Sequence, residues 1–176
     1  MRTLLSFTLA TSLLAGLGSQ VHAAQSRQEI DLLISAHAKA NGIPESLVHR
    51  VVRGESGYNP AASNRGNLGL MQIRYATARG LGYTGDPQGL FDANTNLTYA
   101  VLYLANAYRV ADGNIDRAVG YYRSGYYYAA KRKGLIGDKG SLLSHRPAQV
   151  QEAPARVQEA MAAPVPSPTV ETDGSR

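Results

Sequence analysis

Apolar residues recur every three or four positions along most of residues 26–133, the spacing of one face of a helix. Few segments alternate with a period of two, so the pattern predicts an all-α domain. Runs rich in Gly, Asn, Ser and Pro predict loops at 57–69 and 80–89. The predicted helices cover about 26–41, 44–55, 70–79, 115–123 and 126–133, with a long one from residue 92 or 94 to a turn at 112–114.

The ends of the first two helices carry recognisable signals. Ser26 and Glu29 have the spacing of a capping box, in which each side chain bonds the backbone of the other residue. Asn41-Gly42 ends the first helix, and Pro44 suits the first turn of the second. These signals predict that the first helix ends at about residue 41 and the second begins at about residue 44.

Glu55 stands out on the second predicted helix. At about 100° per residue, Val48, Val51, Val52 and Glu55 share one face. Burial there would disfavour the charged carboxylate, and the negative end of the helix dipole would act in the same direction. Such an acid, kept protonated, is suited to general acid catalysis. The alternative is that the apolar stripe ends before Glu55 and leaves it in solvent.

Composition is compatible with one globular domain and a tail. The chain has 176 residues, of which 44% are apolar, and it contains no Cys, so neither a disulfide nor a cysteine-linked lipid anchor is possible. The formal net charge of +5 favours an anionic polymer as partner. Nucleic acid and acidic cell-wall material both have that charge.

The first 23 residues resemble a secretory signal. Arg2 is followed by the apolar stretch 4–17, and Val21-His22-Ala23 has the pattern of a cleavage site. The stretch is short for a membrane anchor, so we expect its removal. The sequence thus predicts export to the periplasm, or secretion, with no stable membrane anchor, and the expected export disfavours nucleic acid as a partner. We expect the catalytic domain to span 24–140.

Residues 141–176 form a tail of different composition, rich in Pro, Ala, Gln and Glu. Five prolines between 147 and 168 preclude a continuous helix. We expect disorder because little apolar surface is available for burial. The functional alternative is an extension that binds a partner, a use for which Pro-rich segments are common.

Several short motifs are rejected on context. Residues 80–85 match a dinucleotide-binding pattern, but no strand precedes them and Asp86-Pro87 follows where a helix should open. The segment 54–57 lacks the second Gly of a nucleophile elbow. No histidine pair has metal-ligand spacing, so we expect neither a metal nor a cofactor. The sequon 96–98 lies inside a predicted helix and is interpreted as a chance match.

Three blocks in order carry a family resemblance. They are Glu55-Ser56-Gly57-Tyr58-Asn59-Pro60-Ala61-Ala62-Ser63, then Gly69-Leu70-Met71-Gln72-Ile73, then Tyr121-Tyr122-Arg123-Ser124-Gly125. Together they resemble the lytic transglycosylases of the SLT type, lysozyme-like enzymes that cleave bacterial peptidoglycan. In the third block the family usually has Ala-Tyr-Asn-Ala-Gly. Alignment on Gly125 therefore makes Tyr122 the family tyrosine and puts Arg123 where the family has Asn, although Tyr121 is an alternative for the functional ring.

The resemblance implies a fold and a set of site residues. The fold is a single lysozyme-like helical domain of the goose-lysozyme and SLT type. Glu55 is the implied catalytic acid. The implied substrate-binding residues are Ser56, Met71, Gln72 and Tyr122, of which Tyr122 would orient Glu55 or the sugar. From their types alone, Met71 and Tyr122 would more often be core residues, and Ser56 a cap.

The resemblance also implies a reaction. Glu55 would protonate the glycosidic oxygen between N-acetylmuramic acid and N-acetylglucosamine, then act as base toward the 6-hydroxyl of the muramic acid, giving a 1,6-anhydro sugar. Two alternatives stay open. One is a muramidase that uses water with help from Asp86 or Asp92, and the other is a peptidoglycan-binding module without turnover.

The implied partner is the peptidoglycan glycan strand. Small exported enzymes of this family often open the wall for envelope-spanning secretion or conjugation machinery, which the tail would then contact. We expect the protein to be a monomer.

Overall fold

The structure is a computed structural model that describes residues 26–137. The predicted signal segment 1–23 and the whole of the predicted tail 141–176 lie outside these residues. The helices are α1 (Arg27–Asn41), α2 (Glu45–Ser56), α3 (Tyr75–Gly80), α4 (Ala93–Val110), α5 (Ile115–Ser124) and α6 (Tyr127–Arg132), with a 3-10 helix at Pro87–Phe91. The strands are β1 (Ser63–Asn64), β2 (Asn67–Leu68) and β3 (Ile73–Arg74). The helical architecture confirms the predicted fold class.

Helix starts follow the signals in the sequence. The capping box of α1 is present, because Ser26 Oγ accepts from the Glu29 amide at 3.2 Å and Glu29 Oε2 accepts from the Ser26 amide at 2.7 Å. Asp92 is the N-cap of α4 and accepts from the Thr95 amide at 2.7 Å. Each cap satisfies a backbone N–H that the first helical turn leaves without an intrahelical partner.

The segment between α2 and α4 differs from prediction. A helix over 70–79 was expected, but only Tyr75–Gly80 is helical. The preceding residues form a small antiparallel sheet in the order β1-β2-β3, with Asn67 opposite Arg74 and Leu68 opposite Ile73. Strands of two residues are too short to show alternation, so the sequence pattern could not reveal them.

Helix α4 is the centre of the domain. It packs against both α1 and α5, and its inner residues are buried. Alanine at positions 93, 100 and 107 allows close approach of neighbouring elements, while the larger side chains fill the core. The buried apolar residues of α4 are Ala93, Leu97, Ala100, Val101, Leu102, Leu104, Ala107 and Val110.

No helix within residues 26–137 combines the length and the apolar character needed to cross a membrane.

His37 is a buried ionisable residue on the inner face of α1, with 1% of its surface exposed. Its Nε2 lies 2.7 Å from Asn94 Oδ1, while Nδ1 has no hydrogen-bond partner among residues 26–137. Burial lowers the pKa of His37, and the hydrogen bond with Asn94 only partly opposes this effect. The folded protein therefore holds His37 neutral at pH values where the unfolded chain already binds a proton.

We expect the free energy of unfolding to fall as the pH drops below about 6.5, the ordinary histidine pKa. A lowered folded-state pKa means that the unfolded state binds more protons in this window. The loss should reach at most about 1.4 kcal/mol per pH unit and stop growing below the folded-state pKa. Urea unfolding of wild type and His37→Gln between pH 5 and 8 measures it. Parallel curves for the two proteins would contradict the assignment to His37.

Candidate functional site

An open cleft lies where the end of α2 meets the small sheet, α4 and α5. Its volume is about 530 Å³. It is lined by Gly54, Glu55, Asn67, Gln72, Ile73, Arg74, Thr77, Tyr103, Tyr122 and Arg123. Three of the predicted site residues are among them, one from each of the three sequence blocks, although these blocks are far apart in the chain.

Glu55 occupies the last turn of α2, with 21% of its side chain exposed. Val51 and Val52 on the same helix are buried, so the predicted apolar stripe leads to the cleft. The sequence pattern predicted a carboxylate isolated among apolar groups. This prediction is wrong in one respect, because Arg123 Nε donates to Glu55 Oε1 at 2.9 Å. The candidate acid is thus largely shielded from solvent and forms an ion pair with Arg123 of α5.

Gln72 has a backbone conformation that few residues other than glycine adopt, with φ of 50°. Its Nε2 donates to the carbonyl oxygens of Ala62 and Gly69, both at 2.9 Å. These bonds connect the segment before β1 to the one before β3. Gln72 therefore shapes the cleft wall as well as lining it.

Tyr122 is buried on α5, and its hydroxyl donates to the Met71 carbonyl at 2.7 Å. Burial raises its pKa well above the ordinary range, and the nearby negative charge of Glu55 adds to the shift. Tyr103 packs edge-on against it with ring centroids 5.5 Å apart. The hydroxyl therefore acts as a donor that fixes the 69–72 segment beside Glu55.

Ser56 and Met71 are not among the residues that line the cleft. Ser56 Oγ donates to the Leu70 carbonyl at 2.6 Å, which joins the end of α2 to the same segment. Met71 is fully buried in the core. Substrate contact by either residue stays a prediction, while their observed role is to hold the cleft wall in place.

Asn96 belongs to the sequon interpreted above as a chance match, and no role in the site was predicted for it. It is fully buried on α4; its Oδ1 accepts from the Met71 amide at 3.0 Å, and its Nδ2 donates to the Leu68 and Leu90 carbonyls, each at 2.8 Å. The amide thereby ties the cleft wall to the core. The sequence feature that could have revealed this role is a polar residue on the buried face of a helix, between Ala93 and Ala100.

Gly69 lies directly against Asn96. Its φ is 71°, and a Cβ there would come within 2.2 Å of the Leu90 carbonyl oxygen and 2.3 Å of Asn96 Nδ2. Only glycine fits this position, both for its backbone conformation and for the available space.

Asp86 and Asp92, the candidate second acids, have structural roles. Asp86 Oδ1 accepts from the Gly89 amide at 2.9 Å to cap the 3-10 helix, and Asp92 caps α4. Neither lines the cleft, so Glu55 is the only acid among its described lining residues. Within residues 26–137, no group of three or more His, Asp or Glu side chains is placed to hold a metal ion.

Comparison with known proteins identifies the family of the chain. No solved structure matches the chain. The family described as Transglycosylase SLT domain matches residues 32–141, which include every residue of the cleft. This match covers more than half of the sequence, and the chain belongs to the transglycosylase SLT domain family.

Proposed function

We propose that the chain is a lytic transglycosylase that cleaves the β-1,4 bond between N-acetylmuramic acid and N-acetylglucosamine and leaves a 1,6-anhydro end. Enzymes of its family act on peptidoglycan. The formation of a 1,6-anhydro end by this chain is what we propose beyond the family activity. One observation carries it: the cleft presents a single carboxylate, Glu55, among its described lining residues.

The number of carboxylates bears on the reaction because hydrolysis of a glycoside ordinarily uses two. Retaining enzymes hold their carboxyl groups about 5–5.5 Å apart and inverting enzymes about 6.5–9.5 Å apart. Asp86 and Asp92, which a muramidase would recruit, are used as helix caps. An internal nucleophile removes the need for a second acid, because the muramic 6-hydroxyl is held next to the carbon that it attacks.

The proposed reaction conserves its proton. Glu55 in its acid form gives a proton to the glycosidic oxygen as the bond from that oxygen to the anomeric carbon breaks. The resulting carboxylate takes the proton of the 6-hydroxyl while that oxygen bonds to the anomeric carbon. The products are a 1,6-anhydromuramic end and a free 4-hydroxyl on the N-acetylglucosamine, and no water is consumed.

The neighbouring residues support this chemistry by fixing distances. Tyr122 and Ser56 each bond a carbonyl of the segment that leads to Gln72, at 2.7 Å and 2.6 Å. Gln72 and Thr77 offer polar side chains along the cleft for hydroxyl and acetamido groups. Hydrogen bonds at such positions orient a sugar ring without adding a second proton donor.

Product analysis tests the proposal. Purified sacculi are digested with the full chain, and the released muropeptides are measured by mass spectrometry. A lytic transglycosylase gives anhydro ends, which are lighter by one water than the reducing ends that a hydrolase leaves. Reducing ends as the main product would replace the proposal with a muramidase.

The ion pair between Glu55 and Arg123 favours one other candidate, a peptidoglycan-binding module without turnover. Arg123 Nε lies 2.9 Å from Glu55 Oε1 and occupies the carboxylate that a catalytic acid would turn toward the sugar. Sedimentation with sacculi, measured together with product release, distinguishes the two. Binding with no released muropeptide of either kind would establish the binding module.

We also propose that the protein acts after export, in the periplasm or beyond it. The signal-like pattern of residues 1–23 supports this proposal. A role in opening the wall for envelope-spanning machinery, with residues 141–176 as the contact, rests on the composition of that tail alone.

A further inference from the structure

Arg123 places a charge beside the candidate acid at a position where the resembled family has Asn. It lies on α5 directly after Tyr122, with 54% of its side chain exposed. Its Nε bonds Glu55, and within the described residues its Nη groups make no hydrogen bond. A guanidinium has five donor hydrogens, so most of its capacity for an acceptor is unused.

Gly54 makes the room that this guanidinium occupies. A Cβ on Gly54 would lie 2.7 Å from Arg123 Nη2, closer than carbon and nitrogen can approach. Gly54 is inside α2, where glycine costs about 1 kcal/mol relative to alanine. The missing side chain thus lets Arg123 cross the end of α2 to reach Glu55.

The charges in the cleft do not balance during the proposed reaction. Its described lining residues carry two guanidiniums, Arg74 and Arg123, and one carboxylate, Glu55. When Glu55 takes up the proton that it must donate, Arg123 loses its only ion-pair partner among the described residues. The described lining of the cleft would then carry two cationic side chains and no anionic one, an imbalance that an anion from the substrate would relieve.

We propose that Arg123 is a receptor for a carboxylate of the substrate, and that it exchanges Glu55 for this carboxylate when a glycan strand binds. The proposal rests on the proposed function, because peptidoglycan carries carboxylates on the peptide stems of its muramic residues. The planar guanidinium of arginine binds a carboxylate in a bidentate manner, through two parallel hydrogen bonds. The exchange releases Glu55 from its ion pair with Arg123, so that acid catalysis is coupled to recognition of an anionic stem.

The test compares two forms of one substrate. Sacculi are first acetylated on their amines, and half of the sample is then converted to carboxamides with carbodiimide and excess ammonium. Initial rates of anhydro-muropeptide release are measured on both halves. Wild type should be at least about tenfold faster on the unamidated half, since a charge-assisted bond of this kind contributes about that factor. Arg123→Asn should show a rate ratio near one.

Matched variants separate charge, geometry and position. Arg123→Lys keeps the positive charge but cannot form the bidentate pair, so we expect a rate ratio between those of wild type and Arg123→Asn. Arg132→Gln removes one positive charge from the exposed surface of α6 and should keep the wild-type ratio. A ratio that persists in Arg123→Asn and collapses in Arg74→Gln would overturn the proposal in favour of Arg74. A wild-type ratio near one would also overturn it.

Gly54→Ala gives a second test that leaves Arg123 itself intact. The new methyl group displaces the end of the guanidinium, which is flexible enough to move without disturbing the fold. The rate ratio should fall in the wild-type background and stay unchanged in the Arg123→Asn background. Equal effects in both backgrounds would mean that the methyl group only obstructs the cleft, and would count against the exchange.

Two different results would contradict the role of Arg123 and the transglycosylase activity. If wild type releases no anhydro products from unmodified sacculi, the transglycosylase assignment fails. If it releases them at the same rate from both halves of the treated substrate, only the role of Arg123 fails.

Discussion

Glu55→Gln is expected to abolish release of anhydro-muropeptides while the protein stays folded. The amide can neither give an acidic proton to the glycosidic oxygen nor take one from the 6-hydroxyl. A single positioned acid or base contributes about 10²–10⁴-fold, and Glu55 serves in both roles, so a loss of about 10⁴-fold or more is expected. The rate of muropeptide release, followed by mass spectrometry, measures it.

The fold should tolerate this change because Gln has nearly the shape of Glu. The pair with Arg123 is lost as an ion pair, but the Arg123 side chain is 54% exposed, and such pairs contribute about 0–1 kcal/mol. Thermal unfolding followed by circular dichroism checks the fold. Glu45→Gln is the matched control, since it changes the same residue type in the first turn of α2 and should remain active. Turnover in Glu55→Gln close to that of wild type would refute the assigned acid.

The sequence was most informative where local rules decide the structure. The capping box at Ser26 and Glu29, the stop at Gly42 and the start of α4 at Asp92, one of the two predicted positions, depend on residues within one helical turn. The structure confirms each of them. The stripe of valines leading to Glu55 was equally readable, because helix periodicity alone determines which face these side chains share.

The sequence was least informative between residues 57 and 74. Helical spacing suggested that a helix begins near residue 70, but the backbone of Met71 bonds Asn96 and Tyr122, which are 25 and 51 positions away. Such distant partners outweigh local preference, and the positive φ of Gln72 follows from the same constraint. No window of neighbouring residues contains this information.

The site was predicted in part for the same reason. The family resemblance identified Gln72 and Tyr122, and both lie on the cleft with Glu55. It also noted Arg123 as unusual, but the bond to Glu55 depends on the packing of α5 against α2 and on the space left by Gly54. The type of a residue can be unusual in a sequence, whereas its partner is known only from the fold.

Asn96 should be the most sensitive polar position in the domain. Asn96→Ala leaves the Met71 amide and the Leu68 and Leu90 carbonyls without their partner in the protein interior. Each unsatisfied buried group costs about 1–3 kcal/mol, so a loss of at least about 3 kcal/mol in the free energy of unfolding is expected. The melting temperature should fall by about 10 °C or more.

Asn96→Asp tests this role more specifically. It keeps the side-chain shape and the acceptor oxygen Oδ1, but it replaces the donor nitrogen Nδ2 with an oxygen. An oxygen would then face two carbonyl oxygens at the 2.8 Å now spanned by hydrogen bonds, so at pH 7 this variant should be no more stable than Asn96→Ala. Asn114→Asp is the matched control. Asn114 caps α5 by accepting from the Arg117 amide, a role that Asp fills equally well beside the positive end of the helix dipole.

The two substitutions are chemically identical, so any difference reports the surroundings of the side chain. Chemical unfolding of both variants should give a large loss for Asn96→Asp and a change within about 0.5 kcal/mol for Asn114→Asp. Activity adds a second readout: because Asn96 holds the Met71 amide next to Gln72, Asn96→Asp should also slow muropeptide release at temperatures where it is still folded. Equal stability of the two variants would show that Asn96 does not anchor the cleft wall.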